Sequence, residues 1–400
     1  MPLLSWPPAS GKFRLLAGIL LVSSALYGLA YFAFATGRGW PAGFGDSFAL
    51  WSWGRFVVEH PPATIYDAAA LRTAQLAMGL APGGSYPFAY PPTFMLVIWP
   101  LGQVPGWLSL VALMAVSLPL YLWASLGRRW RGSALVAALA APTTAITIVS
   151  GQSGFLAAGL LAGGLRLAAS HPRAAGALLA LLTYKPQLGL LVPVALVAGR
   201  LWRSLLWALA GSVLLVLLTA LLFGPAVWPA WLAALPAFSR QVAAESGGIL
   251  HLMPTVLAAL LRLGIPPATA QLAQWMATAA AAVAVWLAYR HGSRPLAAAA
   301  LLIAAPLATP YAFVYDMPVV TTAVIWFVAD RGRGGVALGT GEVLAIMLAM
   351  LSPATLAAGH SRFPLATLSV ILLVGVVVRA ALQSSQPAPS AARLRAAESR

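Results

Sequence analysis

The chain has 400 residues, of which 61% are hydrophobic and 8% charged, with a mean hydropathy of +0.87. Soluble domains carry roughly 25% charged residues, so a water-soluble globule is excluded. The net charge of +16 lies on arginines that punctuate the apolar runs instead of gathering on one face, which argues for membrane topology and against a nucleic-acid partner.

Apolar runs recur at residues 15–35, 108–126, 204–224, 268–289, 311–329, 343–358 and 363–378. Several approach the ~20 residues that cross a bilayer as a helix. The expected fold class is all-α, a polytopic helical membrane protein with about twelve spans. Cysteine is absent, so there is no disulfide framework, thiolate metal site or cysteine nucleophile. The first run, uncharged from 15 to 37, is longer than the ~7–15 residues of a signal-peptide core and reads as an anchor.

Lys12 and Arg14 place the N-terminus inside, because basic loops resist translocation. Residues 36–90 then form a long first outer loop. Within it, "FGDSFALWSWGRFVVEH" (44–60) reads as a helix on the membrane surface, with Trp51, Trp53 and Phe56 as interfacial aromatics. "ATIYDAAALR" repeats the pattern, and Asp67 fits the N-cap of a second helix. Residues 90–126 are too long for one crossing and short for two. "RRWR" at 128–131 marks the inside again, and Arg166, Arg173 and Arg200 fall on the same side. The segment between Arg173 and Arg200 is then a hairpin broken at Lys185–Pro186, or alternatively one tilted span. Residues 225–254 form a second outer loop. One integral domain covers 1–382, and 383–400 is a polar, disordered cytoplasmic tail.

Few groups can do chemistry. The eight carboxylates include no D-x-D, and no P-loop or H-E-x-x-H occurs, so no metal and no cofactor is expected. Asp46 opens the first outer helix and fits two roles, an N-cap or a carboxylate that takes a proton from a substrate hydroxyl. Lys185 is one of only two lysines and sits in an apolar stretch. It either snorkels to the interface or meets a lipid phosphate, an intramembrane charge being costly without function. Lys185→Met is expected to insert and pack at least as well as the wild type. Gln152, Tyr311, Tyr315 and Asp316 lie near outer ends of spans as substrate-binding candidates or helix-packing glue. Tyr90 is a further candidate. His251 reads as a loop histidine before it reads as a catalytic one.

The order of "IYD", "YPFAYPPTFMLVIWPLG", "GQSGFLAAGLLAGGLRL" and "AAGALLALLTYKPQLGLLVPVAL" followed by "RLWRS" resembles the polyprenyl-phosphate-mannose-dependent mannosyltransferases of glycosyltransferase family 87, within the GT-C superfamily. The resemblance is good over residues 45–224 and looser beyond. It implies an inverting transfer of a hexose, mannose by analogy, from a polyprenyl-phosphate-linked sugar to a glycolipid or glycan acceptor. The enzyme would be a multi-pass protein among the lipids of the inner (plasma) membrane, with its site on the exocytoplasmic side. It carries the base role onto Asp46 and a phosphate-facing role onto Lys185. Where relatives show a late histidine, "ATPYAFVYDMP" offers Tyr315 and Asp316. The rival is a transporter or flippase in which Lys185 and Asp316 form a relay, although such proteins usually show repeat symmetry.

The arginine asymmetry predicts opposite sides for the first loop and the segment after Arg131. Single cysteines at Ser85 and Ser133, in a chain with no native cysteine, should react differently with a membrane-impermeant thiol reagent on intact cells. Ser85→Cys should label and Ser133→Cys should not; the reverse pattern would invert the topology.

Overall fold

The protein is described from a computed structural model, which covers residues 45–127, 132–244, 249–358 and 363–384, with scattered positions between 18 and 39. The apolar run at 15–35 for the most part, the "RRWR" cluster and the tail from 385 lie outside the described residues. Among those described there are helices and no strands.

The first outer segment holds α1 (Gly45–Glu59), a 3-10 turn (Pro62–Tyr66) and α2 (Ala68–Ala77). Asp67 caps α2 as its position suggested: Oδ1 accepts the Ala69 and Ala70 backbone N–H groups at 2.9 and 3.2 Å. A second 3-10 turn (Pro92–Phe94) leads into α3 (Met95–Leu101) and α4 (Gly106–Leu126). The ambiguous stretch 90–126 is therefore one short helix and one full-length one, divided before Gly106 where Pro105 sets the entry.

Next come α5 (Ser133–Ala140) and α6 (Pro142–Ser150), bent by 49° where Pro142 interrupts the run. α7 (Gly154–Leu167) and α8 (Pro172–Leu181) follow. The backbone after α8 loses its helix through two 3-10 turns, Leu182–Tyr184 and Pro186–Gly189, before α9 (Val192–Ala198). The expected break at Lys185–Pro186 is present: Lys185 has φ −134° and ψ 62°, outside the helical region.

Then α10 (Trp202–Phe223), α11 (Val227–Ala244), α12 (Val256–Arg262), α13 (Pro267–His291) and α14 (Arg294–Ala304) run in order. A 3-10 turn (Val314–Asp316) precedes α15 (Pro318–Arg333), and α16 (Thr340–Ala358) and α17 (Leu365–Ser384) complete the described chain.

Of the about twelve spans expected, four helices among the described residues (α4, α10, α13, α17) are each long and apolar enough to cross a membrane, or five if α5 and α6 make one bent span. Proline and glycine divide other apolar stretches into helices of 10–17 residues such as α7 and α14. The second outer loop, 225–254, is largely α11. Its Trp228, Trp231, Leu232 and Leu235 recur at helical spacing, and the helix packs on the 62–66 turn.

α14 and α15 form the centre, with Leu296–Ala304 and Pro318–Ala329 buried without interruption. Hydroxyl pairs hold α15 in place, Ser125 with Thr322 at 2.7 Å and Thr143 with Thr321 at 3.0 Å. α10 is the opposite case. It packs on α8 yet buries only Ser204 and Thr219, and its Leu214, Leu217 and Leu221 point outward, as expected of a lipid-facing helix.

Two glycines let the chain close up beside the first helix. Gly151 ends α6 in the left-handed conformation (φ 68°), and a Cβ there would meet Ser47 at 2.7 Å. At Gly154 a Cβ would lie 1.8 Å from the Tyr315 carbonyl oxygen. Gly154→Ala should therefore displace the 314–316 turn while leaving α7 intact, alanine being the best helix former. The expected outcome is a protein that inserts normally but melts lower and loses activity, measured by thermal unfolding in detergent beside a turnover assay. Unchanged melting would show that the turn has room to move.

Candidate active site

Four interruptions of helix and the first turn of α1 bring six polar side chains together. Asp46 comes from the first turn of α1, Tyr90 from the extended segment before Pro91, and Gln152 from the turn between α6 and α7. Lys185 comes from the break after α8, and Tyr315 and Asp316 from the 3-10 turn ahead of α15. Non-helical backbone inside a membrane protein is tolerated where it is buried in protein, and each break has a local cause. Tyr90 precedes a Pro-Pro pair, Gln152 follows the left-handed Gly151, Lys185 precedes Pro186, and Asp316 stands two residues before Pro318.

Lys185 and Asp316 form the floor. Nζ lies 2.5 Å from Oδ1, with side chains 1% and 0% exposed. The other carboxylate oxygen of Asp316 accepts the Phe313 backbone N–H at 3.1 Å. The ammonium lies 4.9 Å from the Tyr315 ring centroid and 6.0 Å from that of Tyr90, within reach of cation–π attraction. Tyr90 and Tyr315 hydrogen-bond through their side chains.

Asp46 forms the mouth, partly exposed where Lys185 is enclosed. Its carboxylate is hydrogen-bonded to Gln152. The Gln152 Oε1 takes the Ser153 backbone N–H at 3.3 Å, so the amide NH₂ is the end that donates to Asp46. Burial of the carboxyl raises the Asp46 pKa to about 6; the Gln152 hydrogen bond and the Lys185 charge oppose that rise without cancelling it. Asp46 lies within the first turn of α1, and its carboxylate bonds to a residue on another helix junction.

Around the six is a shell that sequence reading did not single out. The Tyr184 hydroxyl donates to the Ser153 carbonyl at 3.0 Å, and its ring stacks on Phe94 at 4.9 Å. Tyr66 donates to the Tyr90 carbonyl at 2.9 Å. Thr147 donates to the Tyr315 carbonyl at 3.3 Å. The one available signal was adjacency, Tyr184 preceding Lys185 and Thr147 lying five residues before Gln152. Tyr311 and His251 are not joined to the six by any hydrogen bond, ion pair or ring contact among the described residues. Tyr311 packs on Phe238 in a separate cluster with Leu250 and Met253, the turn on which His251 lies. An apolar cavity of about 110 Å³ between the 62–66 turn and α11 adjoins the site through Tyr66 and Ala89.

The profile of glycosyltransferase family 87 matches residues 88–310, more than half of the chain. The chain belongs to glycosyltransferase family 87. It is accordingly a membrane glycosyltransferase of the GT-C superfamily. No curated protein and no solved structure matches it. The matched stretch contains Tyr90, Gln152 and Lys185; Asp46, Tyr315 and Asp316 lie outside it and reach the site through the fold. Among the described residues no group of three or more His, Cys, Asp or Glu is placed to hold a metal ion.

The ion pair changes one expectation. Lys185→Met, expected to pack at least as well as lysine, would leave the Asp316 carboxylate buried without its cation. Removing one partner of a buried pair costs about 3–5 kcal/mol, whereas removing both is often neutral. Lys185→Met should therefore melt well below the wild type, and the double variant Lys185→Met/Asp316→Asn should recover most of the loss. Thermal unfolding in detergent checks this; equal melting of single and double variants would mean that the pair carries no stability.

Proposed function

We propose that this family 87 enzyme transfers a hexose, mannose in the first instance, from a polyprenyl-phosphate-linked sugar to a hydroxyl of a glycolipid or glycan. The transfer inverts the anomeric centre and takes place at the exocytoplasmic face of the plasma membrane. The observation that carries this reading is the juxtaposition of a partly open carboxylate and a buried ammonium. Asp46 stands at the mouth with a pKa near 6, and Lys185 lies behind it. A displacement at an anomeric carbon needs a base on one side and a cation on the other.

The acceptor oxygen attacks the anomeric carbon while its proton passes to the Asp46 carboxylate. The bond from that carbon to the phosphate oxygen breaks, and its electron pair leaves with the phosphate. Lys185 faces the charge that grows there. One of its three N–H groups is engaged by Asp316, leaving two for the phosphate. Gln152 holds the Asp46 carboxylate in place, and the proton Asp46 has gained passes to water once the products part. The Tyr90 and Tyr315 rings flank the ammonium. No resident cofactor enters this scheme.

The base works only when ionised, and a pKa raised to about 6 means that protons occupy it below that pH. Transfer should fall about tenfold per pH unit below 6 and level off above it. Asp46→Asn removes a carboxylate whose ionised form burial disfavours at neutral pH, so it should fold at least as stably at pH 7 while losing transfer. The measurement is label transfer from polyprenyl-phosphate-linked mannose, with the glucose analogue as comparison, by purified wild type and Asp46→Asn. Normal turnover by a folded Asp46→Asn enzyme would remove Asp46 as the base. Transfer from the glucose donor alone would correct the sugar.

A further inference from the structure

Lys185 serves two anions if it meets the donor phosphate, because Asp316 already holds it. Asp316 has partners besides the lysine: Oδ2 takes the Phe313 N–H at 3.1 Å, and the carboxylate stands just ahead of α15, a helix of 16 residues whose N-terminal end favours negative charge. Lysine, a point charge on a flexible stem with three donors, can turn from one anion toward another. The two tyrosine rings beside its ammonium give it a cation-tolerant path between them.

The charges change during the reaction. A sugar phosphodiester carries one negative charge; the monoester left after transfer carries about −1.5 to −2 near neutral pH. The spent lipid phosphate would then hold the ammonium more tightly than the donor did, and the enzyme would stall on its product.

We propose that Asp316 is a built-in competitor for the phosphate at Lys185, a positioning residue that draws the ammonium back after transfer and so releases the polyprenyl monophosphate. This rests on the phosphate-facing role of Lys185 in the proposed function. Release of product limits turnover in many enzymes that enclose their substrates, and the enclosed Lys185–Asp316 floor belongs to such a site.

The test is the affinity of full-length protein in detergent for farnesyl monophosphate, measured beside kcat and KM. Asp316→Asn should bind the monophosphate about tenfold more tightly, since a competing charge is gone, and should show a lowered kcat with a lowered donor KM. Asp316→Glu keeps the charge and should stay near wild type in both. Lys185→Met should lose the monophosphate affinity. If Asp316→Asn is stable only when the monophosphate is present during solubilisation, the phosphate has replaced the carboxylate, which supports the proposal. An Asp316→Asn protein that cannot be recovered even with the monophosphate, or one whose affinity is unchanged or weaker, overturns it. Loss of affinity in Lys185→Met with wild-type affinity in Asp316→Asn would reject the competitor and leave the donor reading standing. A wild type that does not bind the monophosphate would reject both.

Discussion

An ion pair with almost no exposure, Lys185 with Asp316, ties together two pieces of unwound backbone 131 positions apart in the chain. Taking either charge out of water alone costs several kcal/mol, and their attraction repays the cost only when the geometry is close. The break after α8 and the turn before α15 are consequently bound to form together. The rest of the site is arranged around that condition: Tyr90 and Tyr315 flank the ammonium, and Asp46 feels its charge from the open side.

Close packing of backbone makes the pair possible. The Tyr315 carbonyl lies where a side chain on residue 154 would be, so the start of α7 has to be glycine for the 314–316 turn to reach Lys185. The same economy appears between α1 and α3, where a Cβ on Gly54 would lie 2.1 Å from the Ile98 carbonyl oxygen. Small residues let helices approach closely in a membrane, where there is little hydrophobic drive between them. The hydroxyl pairs from α15 to Ser125 and Thr143 add directional bonds to that packing. α10, with its outward leucines, takes no part in the site and gives its surface to lipid.

Asp46 and Lys185 occupy different environments. Asp46 keeps some contact with water and a pKa near 6, whereas Lys185 is enclosed and paired. A half-open carboxylate beside an enclosed cation suits the reaction proposed above. The small apolar cavity lined by Tyr66, Ala89 and Trp231 lies between the 62–66 turn and α11.

Much of this was written in the sequence. Composition established a helical membrane protein, and the ordered Tyr-Pro-Pro, Gly-Gln and Lys-Pro elements pointed to the family that the match over residues 88–310 confirms. Asp67 as a cap and the break at Lys185 followed from local rules, because capping and proline act within a few residues. Where the apolar stretches divide did not follow, since hydropathy sums over a window and cannot tell a continuous helix from one divided by proline, as at Pro142. Nor did the helix α11, which a loop composition rich in proline concealed. Sequence singled out Asp46 and Lys185, joined Lys185 with Asp316 only in the rival relay, and kept Tyr311 and His251 as further candidates. Only the tertiary structure brings Asp46, Lys185 and Asp316 near one another and sets Tyr311 and His251 apart, because the approach of residues 46, 185 and 316 depends on how α1, α8 and α15 pack, and no local pattern encodes that.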